Sequence, residues 1–296
     1  MKVIITGASG FIAPHLIEAC LKRGWEVIGI DVLDFIYDLA PLAFQFRKMD
    51  VRDLRIADLE GIGYVFHLAF VTNIAHSIQN SLQTTRDNID MTVYLLDLCA
   101  RAKVKKFLFA TTASLYADNP TPWREDMPAM PIEPYSWQKL ACEYACRMWS
   151  RCYGLPTASL RLFQVFGENQ RADTSLAFFL RARKEGRPIT LTQTTAQSSF
   201  RTGQRDFIYV KDVAEAFVQA ALSDNACKGE IINVGSGKIT TMENIAKTIG
   251  GEIVFIERRK FEVDRHEADI SRARELLDWG PKVDVLDWLK GFARKL

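Results

Sequence analysis

Residues 2–12 read KVIITGASGFI: a short β-branched run passes straight into a turn containing Gly7 and Gly10, and a helical pattern, APHLIEACLKRG, begins at Ala13. The apolar run is continuous. A strand without polar alternation is covered on both faces, which is the condition of a parallel sheet with helices on each side. Working outward, the alternation repeats in EVIGID (26–31), FQFRKMD (44–50), YVFHLAF (64–70), NIDMTVYLLDLCARA (88–102) and KKFLFATT (105–112). The pattern predicts a doubly wound α/β fold.

A polar, proline-containing loop at 117–134 leads to a predicted helix from about Pro134 to Tyr153 and then to TASLRLFQVFG, read as one strand. From residue 167 the character changes to a helix, TSLAFFLRARKEGRP, a polar loop and the strand RDFIYV. EIINVGSG, TMENIAKTIG, EIVFIE and two terminal helices read as a smaller α/β part. The expected division is a Rossmann-type dinucleotide-binding domain at 1–166, to which 205–225 returns, and a smaller, interleaved C-terminal substrate-binding domain at 167–296.

The chain has 296 residues, 48% of them hydrophobic, enough for a large core. Lys+Arg at 38 nearly balance Asp+Glu at 36, and the charges are scattered, so neither nucleic acid nor an anionic membrane is expected as a partner. The chain begins without a secretory pattern and has no long apolar run, which predicts a cytoplasmic protein. Cys20, Cys99, Cys142, Cys146, Cys152 and Cys227 include no CxxC pair, so no metal site is expected and the thiols are read as reduced.

In the turn TGASGFIA, glycine lets the backbone approach a pyrophosphate lying at a helix N-terminus, which assigns Gly7, Gly10, Phe11 and Ile12 to a dinucleotide. Asp31 ends the second strand where a carboxylate accepts hydrogen bonds from an adenosine ribose. It would repel a 2′-phosphate, and no nearby cation offsets it, so NAD is favoured over NADP. Asp50 and Val51, after the third strand, are candidate adenine contacts.

YSWQK (135–139) places Tyr135 and Lys139 four apart on one helix face. Five residues alone do not make them catalytic. Thr111 and Thr112, however, end a strand at the edge where open α/β sheets bind ligands. A phenol is a poor base at neutral pH until a cation favours the phenolate, and Lys139 carries one.

Taken together, TGASGFIA, Asp31, VFHLAF (65–70), Asn88, TTASLY (111–116), YSWQK, RLFQVFG (161–167), RDFIYVKDVAEAF (205–217), INVGSG (232–237) and ADISRARELLDW (268–279) resemble the extended short-chain dehydrogenase/reductase family, in particular its nucleotide-sugar epimerases and dehydratases. The resemblance covers essentially the whole chain. It implies Thr112, Tyr135 and Lys139 as the catalytic set, and adds Leu68, Ala69 and Asn88 to the NAD site. Ser114, Gln164, Arg205 and Arg259 fall on the substrate side, the arginines suiting a diphosphate. Gln164 replaces the family's usual Asn, and Ala13 its third loop glycine.

Ala113 and Ser114 stand where the dehydratases carry an acid, so elimination is disfavoured. The expected activity is NAD-dependent epimerisation of a UDP-, dTDP-, GDP- or CDP-linked sugar at carbon 4 through a transient keto intermediate. The alternatives are a dehydrogenase or reductase with net redox, a 4,6-dehydratase, or a cofactor-binding regulator without catalysis. A homodimer is expected through helices at 87–102 and 134–153, with Tyr94, Leu95, Leu98 and Trp149 supplying either that interface or the core.

Overall fold

Val3 and Ile5 of the first strand, β1 (Lys2–Thr6), point into one apolar core, and Ile4 points into the core on the opposite face. That two-sided burial is why the run carries no polar alternation. The computed structural model describes residues 1–39, 44–117, 119–195, 198–258 and 263–293.

After β1 come α1 (Ala13–Leu21), β2 (Glu26–Asp31), β3 (Gln45–Lys48), β4 (Ile62–His67), α2 (Ile74–Gln79), α3 (Ser81–Thr85) and α4 (Met91–Arg101). Then follow β5 (Lys106–Thr112), α5 (Pro134–Tyr153), β6 (Thr157–Leu162) and β7 (Gln164–Phe166). The remainder consists of α6 (Ser175–Lys184), β8 (Ile189–Thr192), β9 (Gln204–Tyr209), α7 (Val210–Leu222), β10 (Lys228–Val234), β11 (Ile239–Thr241), α8 (Met242–Ile249), β12 (Ile253–Ile256), α9 (Ser271–Leu277) and α10 (Val285–Ala293).

Seven strands form one sheet in the order β10-β6-β5-β4-β1-β2-β3, all parallel. Helices α1, α7 and α9 cover one face, and α4 and α5 the other. The order reverses between β1 and β4, so the crevice at their carboxyl ends is where this fold binds ligands. Two sequence readings need correction. The stretch at 230–234, read as part of the smaller unit, is the edge strand β10 of the large sheet, with Ile232 and Val234 fully buried. TASLRLFQVFG is two strands that part at Phe163, since β7 leaves the large sheet for a three-stranded one, β11-β9-β7.

Helix α5 has chemically marked ends. The Glu133 carboxylate accepts from the Ser136 N–H at 3.0 Å, Pro134 occupies the first turn, and Gly154 closes the helix at φ +67°. A π turn at Arg86–Asp90 joins α3 to α4 and turns Asn88 into the interior. Apolar residues of α6, β8, β9, α8 and α10, among them Phe179, Leu191, Phe207, Ile245 and Leu289, build a third core for the smaller part. No helix among the described residues is long and apolar enough to cross a membrane.

Candidate active site

Gly7 holds φ +71°, and a Cβ there would lie 2.6 Å from the Ala69 nitrogen and 2.8 Å from the Leu68 carbonyl carbon. The turn after β1 therefore packs directly on the backbone after β4, an approach only glycine permits. Gly10 closes the turn by donating to the Gly7 carbonyl at 3.0 Å. No side chain caps α1 at Ile12, so its first turn presents backbone N–H groups toward the loop. Phe11, beside it, packs edge-on against His15.

Asp31 lies across this loop, its carboxylate accepting from Ser9 N–H and Leu33 N–H, each at 2.9 Å. The acid is thereby fixed beside the glycine turn with lone pairs remaining for a ribose. Asp50 accepts from the Arg52 backbone and pairs with its guanidinium, and Val51 is buried in the core.

A buried relay fixes the segment after β4. Thr92 donates to the Asn88 carbonyl at 2.7 Å, so its oxygen accepts from His67 Nε2 at 3.0 Å; Nδ1 then accepts from Thr6 at 2.8 Å. Burial, with Lys139 nearby, lowers the His67 pKa to about 3, so the imidazole is neutral. Thr6 in turn accepts from Ala69 N–H at 3.3 Å, and Asn88 holds both backbone groups of Val71, at 2.7 and 3.2 Å. Asn88 also donates to Gln138 of α5 at 2.8 Å. Between these tethers stands Phe70, its ring edge-on to Tyr135 at 6.0 Å between centroids.

Thr112 and Ser114 sit at the carboxyl edge of β5, where Thr112 donates to the Ser114 hydroxyl at 3.1 Å and accepts from its N–H at 3.2 Å. Burial pushes the Tyr135 phenol up to about 12, although the Thr112 hydroxyl beside it favours the phenolate. Lys139 is buried, donates to the Ala110 carbonyl at 2.6 Å and stands 3.5 Å above the Phe70 ring centre. Desolvation lowers its pKa to about 7.

Beneath this pair, Glu143 accepts from Thr111 at 2.8 Å and holds Arg161 of β6 in a two-point ion pair at 2.9 and 2.7 Å. With both side chains at 3% exposure or less, this pair locks α5 to β5 and β6. Sequence reasoning missed it, although Glu143 follows Lys139 by one helical turn. It also missed the His67 relay, the Phe70 wall and Arg171, whose guanidinium donates to Thr72.

The substrate-side candidates are spread more widely. Gln164 begins β7 and is half-buried; Arg205, in β9, donates to the carbonyls of Gln204 at 2.9 Å and Asp264 at 3.3 Å. Its neighbour Asp206 is buried and bonded to Ser236, Gly237 and Ala268, which fixes the strand. Arg259 lies outside the described residues. Thr112, Ser114, Tyr135 and Lys139 thus come together on α5 and the β5 edge, while Arg205 belongs to the smaller part.

Residues 3–235 match the model of the NAD dependent epimerase/dehydratase family. The chain belongs to that family. Among its relatives are an uncharacterized UDP-glucose epimerase of Bacillus subtilis, 30% identical over 98% of this chain and 96% of that one, and a UDP-glucuronate 4-epimerase of Thermodesulfobacterium geofontis, 30% identical over 97% and 93%. The crystal structure of a Bacillus cereus UDP-glucuronic acid 4-epimerase, in complex with UDP-glucuronic acid and NAD, superposes with a TM-score of 0.88 at 28% identity over 100% of this chain and 99% of that one. This family member is an NAD-dependent nucleotide-sugar epimerase of the extended short-chain type. Its glycine turn, bare helix start and fixed Asp31 fit NAD.

Proposed function

We propose that the chain is a UDP-sugar 4-epimerase in which Tyr135 exchanges the proton on the sugar's 4-hydroxyl. The observation that carries this reading is the meeting of Tyr135, Thr112 and Lys139 beside the glycine turn. Gly7, Gly10, Phe11 and Ile12 would receive the pyrophosphate of NAD, Asp31 its adenosine ribose, Asp50 and Val51 its adenine, and Leu68 and Ala69 the wall beside its other half, which the buried Asn88 supports from behind through Val71 rather than by touching the cofactor. When bound, NAD supplies a reversible hydride acceptor at carbon 4 and a positive charge next to the phenol.

Tyr135 Oη removes the O4 proton, helped by the Thr112 hydroxyl, which holds O4 and is itself oriented by Ser114. Lys139, desolvated against Phe70 and Ala110, lends its charge to the phenolate. After the keto sugar turns over, the same phenol returns the proton and the opposite face is reduced. Ser114 and Gln164 would bear on the sugar, and Arg205 with Arg259 on the diphosphate. With Ala113 and Ser114 in place of an acid, no second proton is moved and elimination does not compete.

A homodimer through α5 is part of the proposal. Trp137, Tyr144 and Met148 form a stripe on its outer face, exposed by 46%, 61% and 39%. An open depression of about 580 Å³ lined by Leu82, Pro131, Ile132, Pro134 and Trp137 continues it. Of the four residues read from the sequence as either interface or core, Leu95, Leu98 and Trp149 are buried in the core, and Tyr94 donates to the Leu54 carbonyl. A cytoplasmic location is supported by six unpaired thiols, five of them buried.

The test is incubation of the NAD-loaded protein with UDP-glucose, UDP-N-acetylglucosamine and UDP-glucuronate, read by NMR. A product inverted at carbon 4 without accumulating reduced NAD supports the reading. Stoichiometric reduced NAD would replace it with net oxidation.

A further inference from the structure

Three arginines far apart in the chain, Arg147 of α5, Arg161 of β6 and Arg272 of α9, meet around one polar cavity of about 380 Å³. Residues 125–129 and Ile231 of β10 also line it, and no residue assigned above to NAD, to the sugar or to proton transfer does. Its size lies near the lower end of ligand pockets, which run from about 300 to 1,000 Å³.

Arg161 supplies the observation that points to a ligand. Its Nε and one terminal nitrogen are spent on Glu143, at 2.9 and 2.7 Å, its side chain is 3% exposed, and its guanidinium lies over the Tyr116 ring at 4.7 Å. The other terminal nitrogen, Nη1, is buried and has no hydrogen-bond partner among the described residues. Buried donors are nearly always met by protein, water or a ligand. With Arg161 in its wall, the cavity is where such a partner can reach it.

The charges around the cavity do not balance once each carboxylate is assigned. Glu143 is taken up by Arg161 and by Thr111 at 2.8 Å. Glu125 accepts from Asn233 N–H at 2.8 Å and stands 4.0 Å from Arg272 Nε. Asp126 pairs with Arg124, which does not line the cavity. Arg147 is left without a carboxylate among the described residues, its guanidinium 5.9 Å from the centre of the Tyr144 ring. Its stem is nevertheless held in place: Gly229 of β10 turns at φ +89°, and a Cβ there would lie 3.3 Å from both Cα and Cγ of Arg147. Arg272 donates to the Ile231 carbonyl at 3.1 Å, which leaves other N–H groups of its fork for a ligand.

We propose that this cavity is a second ligand site, separate from the epimerase centre, and that it takes the phosphate group of a small polar phosphate monoester. Such a group carries about −1.5 to −2 charge near pH 7 and three acceptor oxygens. It offsets the Arg147 charge, accepts from Arg161 Nη1 and meets the arginine forks with the geometry that suits them. Water would satisfy Nη1 and leave the charge unmet. Free phosphate has the same chemistry as the ester but fills little of the volume.

The experiment is calorimetric titration of the NAD-loaded protein, saturated with UDP so that the substrate site is filled, with glucose 6-phosphate, glycerol 3-phosphate and inorganic phosphate. Arg161 is kept, because its removal would strand the buried Glu143; the variants are Arg147→Ala and Arg272→Gln, with Arg274→Ala, exposed and outside the cavity, as the control. Wild type is expected to bind one glucose 6-phosphate per chain. Binding should weaken at least about tenfold in Arg147→Ala and Arg272→Gln and stay unchanged in Arg274→Ala. The ester should raise the melting temperature of wild type and not that of Arg147→Ala. A crystal of the complex should place a phosphate oxygen within about 3 Å of Arg161 Nη1.

No saturable binding of any of the three probes would leave water as the partner of Nη1 and overturn the site. Binding that neither substitution weakens overturns it as well. Inorganic phosphate bound as tightly as both esters overturns the ester and assigns the cavity to the free ion. None of these readouts is turnover, so they stand apart from the test of the epimerase reading.

Discussion

The Nζ of Lys139 stands 6.0 Å from the centre of the Tyr135 ring while donating to the Ala110 carbonyl at 2.6 Å. The two residues thus share one helix face and one pocket, with the ammonium anchored on the sheet. Its surroundings are a carbonyl and the faces of Phe70 and Phe109, which stabilise a cation less than water does.

That burial makes a pH signature. The Lys139 pKa falls from 10.5 to about 7 on folding, so between those values the unfolded chain holds a proton that the folded chain lacks. Stability of the cofactor-free protein should then rise with pH from about 7 toward 10 through this group; the raised phenol of Tyr135 opposes it only above 10, where the unfolded phenol ionises first. The melting temperature of wild type minus that of Lys139→Met, followed across this range, should increase with pH. A flat difference would mean that the ammonium is not desolvated.

Gly7→Ala should cost both stability and cofactor. The left-handed φ of +71° alone penalises a Cβ by about 1–2 kcal/mol, and the 2.6 Å approach to Ala69 adds a clash that pushes the two loops apart. Thermal melting should fall, and NAD affinity, read by fluorescence titration, should drop at least about tenfold, since 1.4 kcal/mol is a factor of ten. Unchanged NAD affinity would remove this turn from the cofactor site.

The outer stripe of α5 sets the expected assembly. Placing a charge in it, as Tyr144→Asp or Met148→Glu, should shift sedimentation from dimer to the 33.6 kDa monomer while leaving the fold intact, because neither side chain belongs to a buried core. A wild type that sediments as a monomer at all concentrations rejects the dimer.

Much of this is legible in the chain because its causes are local. The strand, glycine turn and helix at 2–21 follow from two-sided burial and from the conformation of one glycine, and YSWQK lies within a single helix turn. What is not legible depends on distant pairings. Asn88 reaches Val71 and Gln138, and Arg171 reaches Thr72, through partners that no spacing rule anticipates. The split of TASLRLFQVFG at Phe163 has the same origin, since both halves are apolar and only the neighbouring strands decide which sheet each joins. On α5, apolar residues occur around the whole helix, so composition could not tell the core side, with Trp149, from the outer side, with Trp137 and Tyr144.

The most direct measurement of the central claim is the turnover of Tyr135→Phe. The substitution removes one oxygen and keeps the ring that packs against Phe70. The NAD-loaded variant should bind UDP-sugar with near wild-type affinity by calorimetry, and its rate of inversion at carbon 4, followed by NMR, should fall by about 10²–10⁴-fold. Turnover within a few-fold of wild type would contradict the assignment of the Tyr135 phenol as the group that moves the 4-hydroxyl proton.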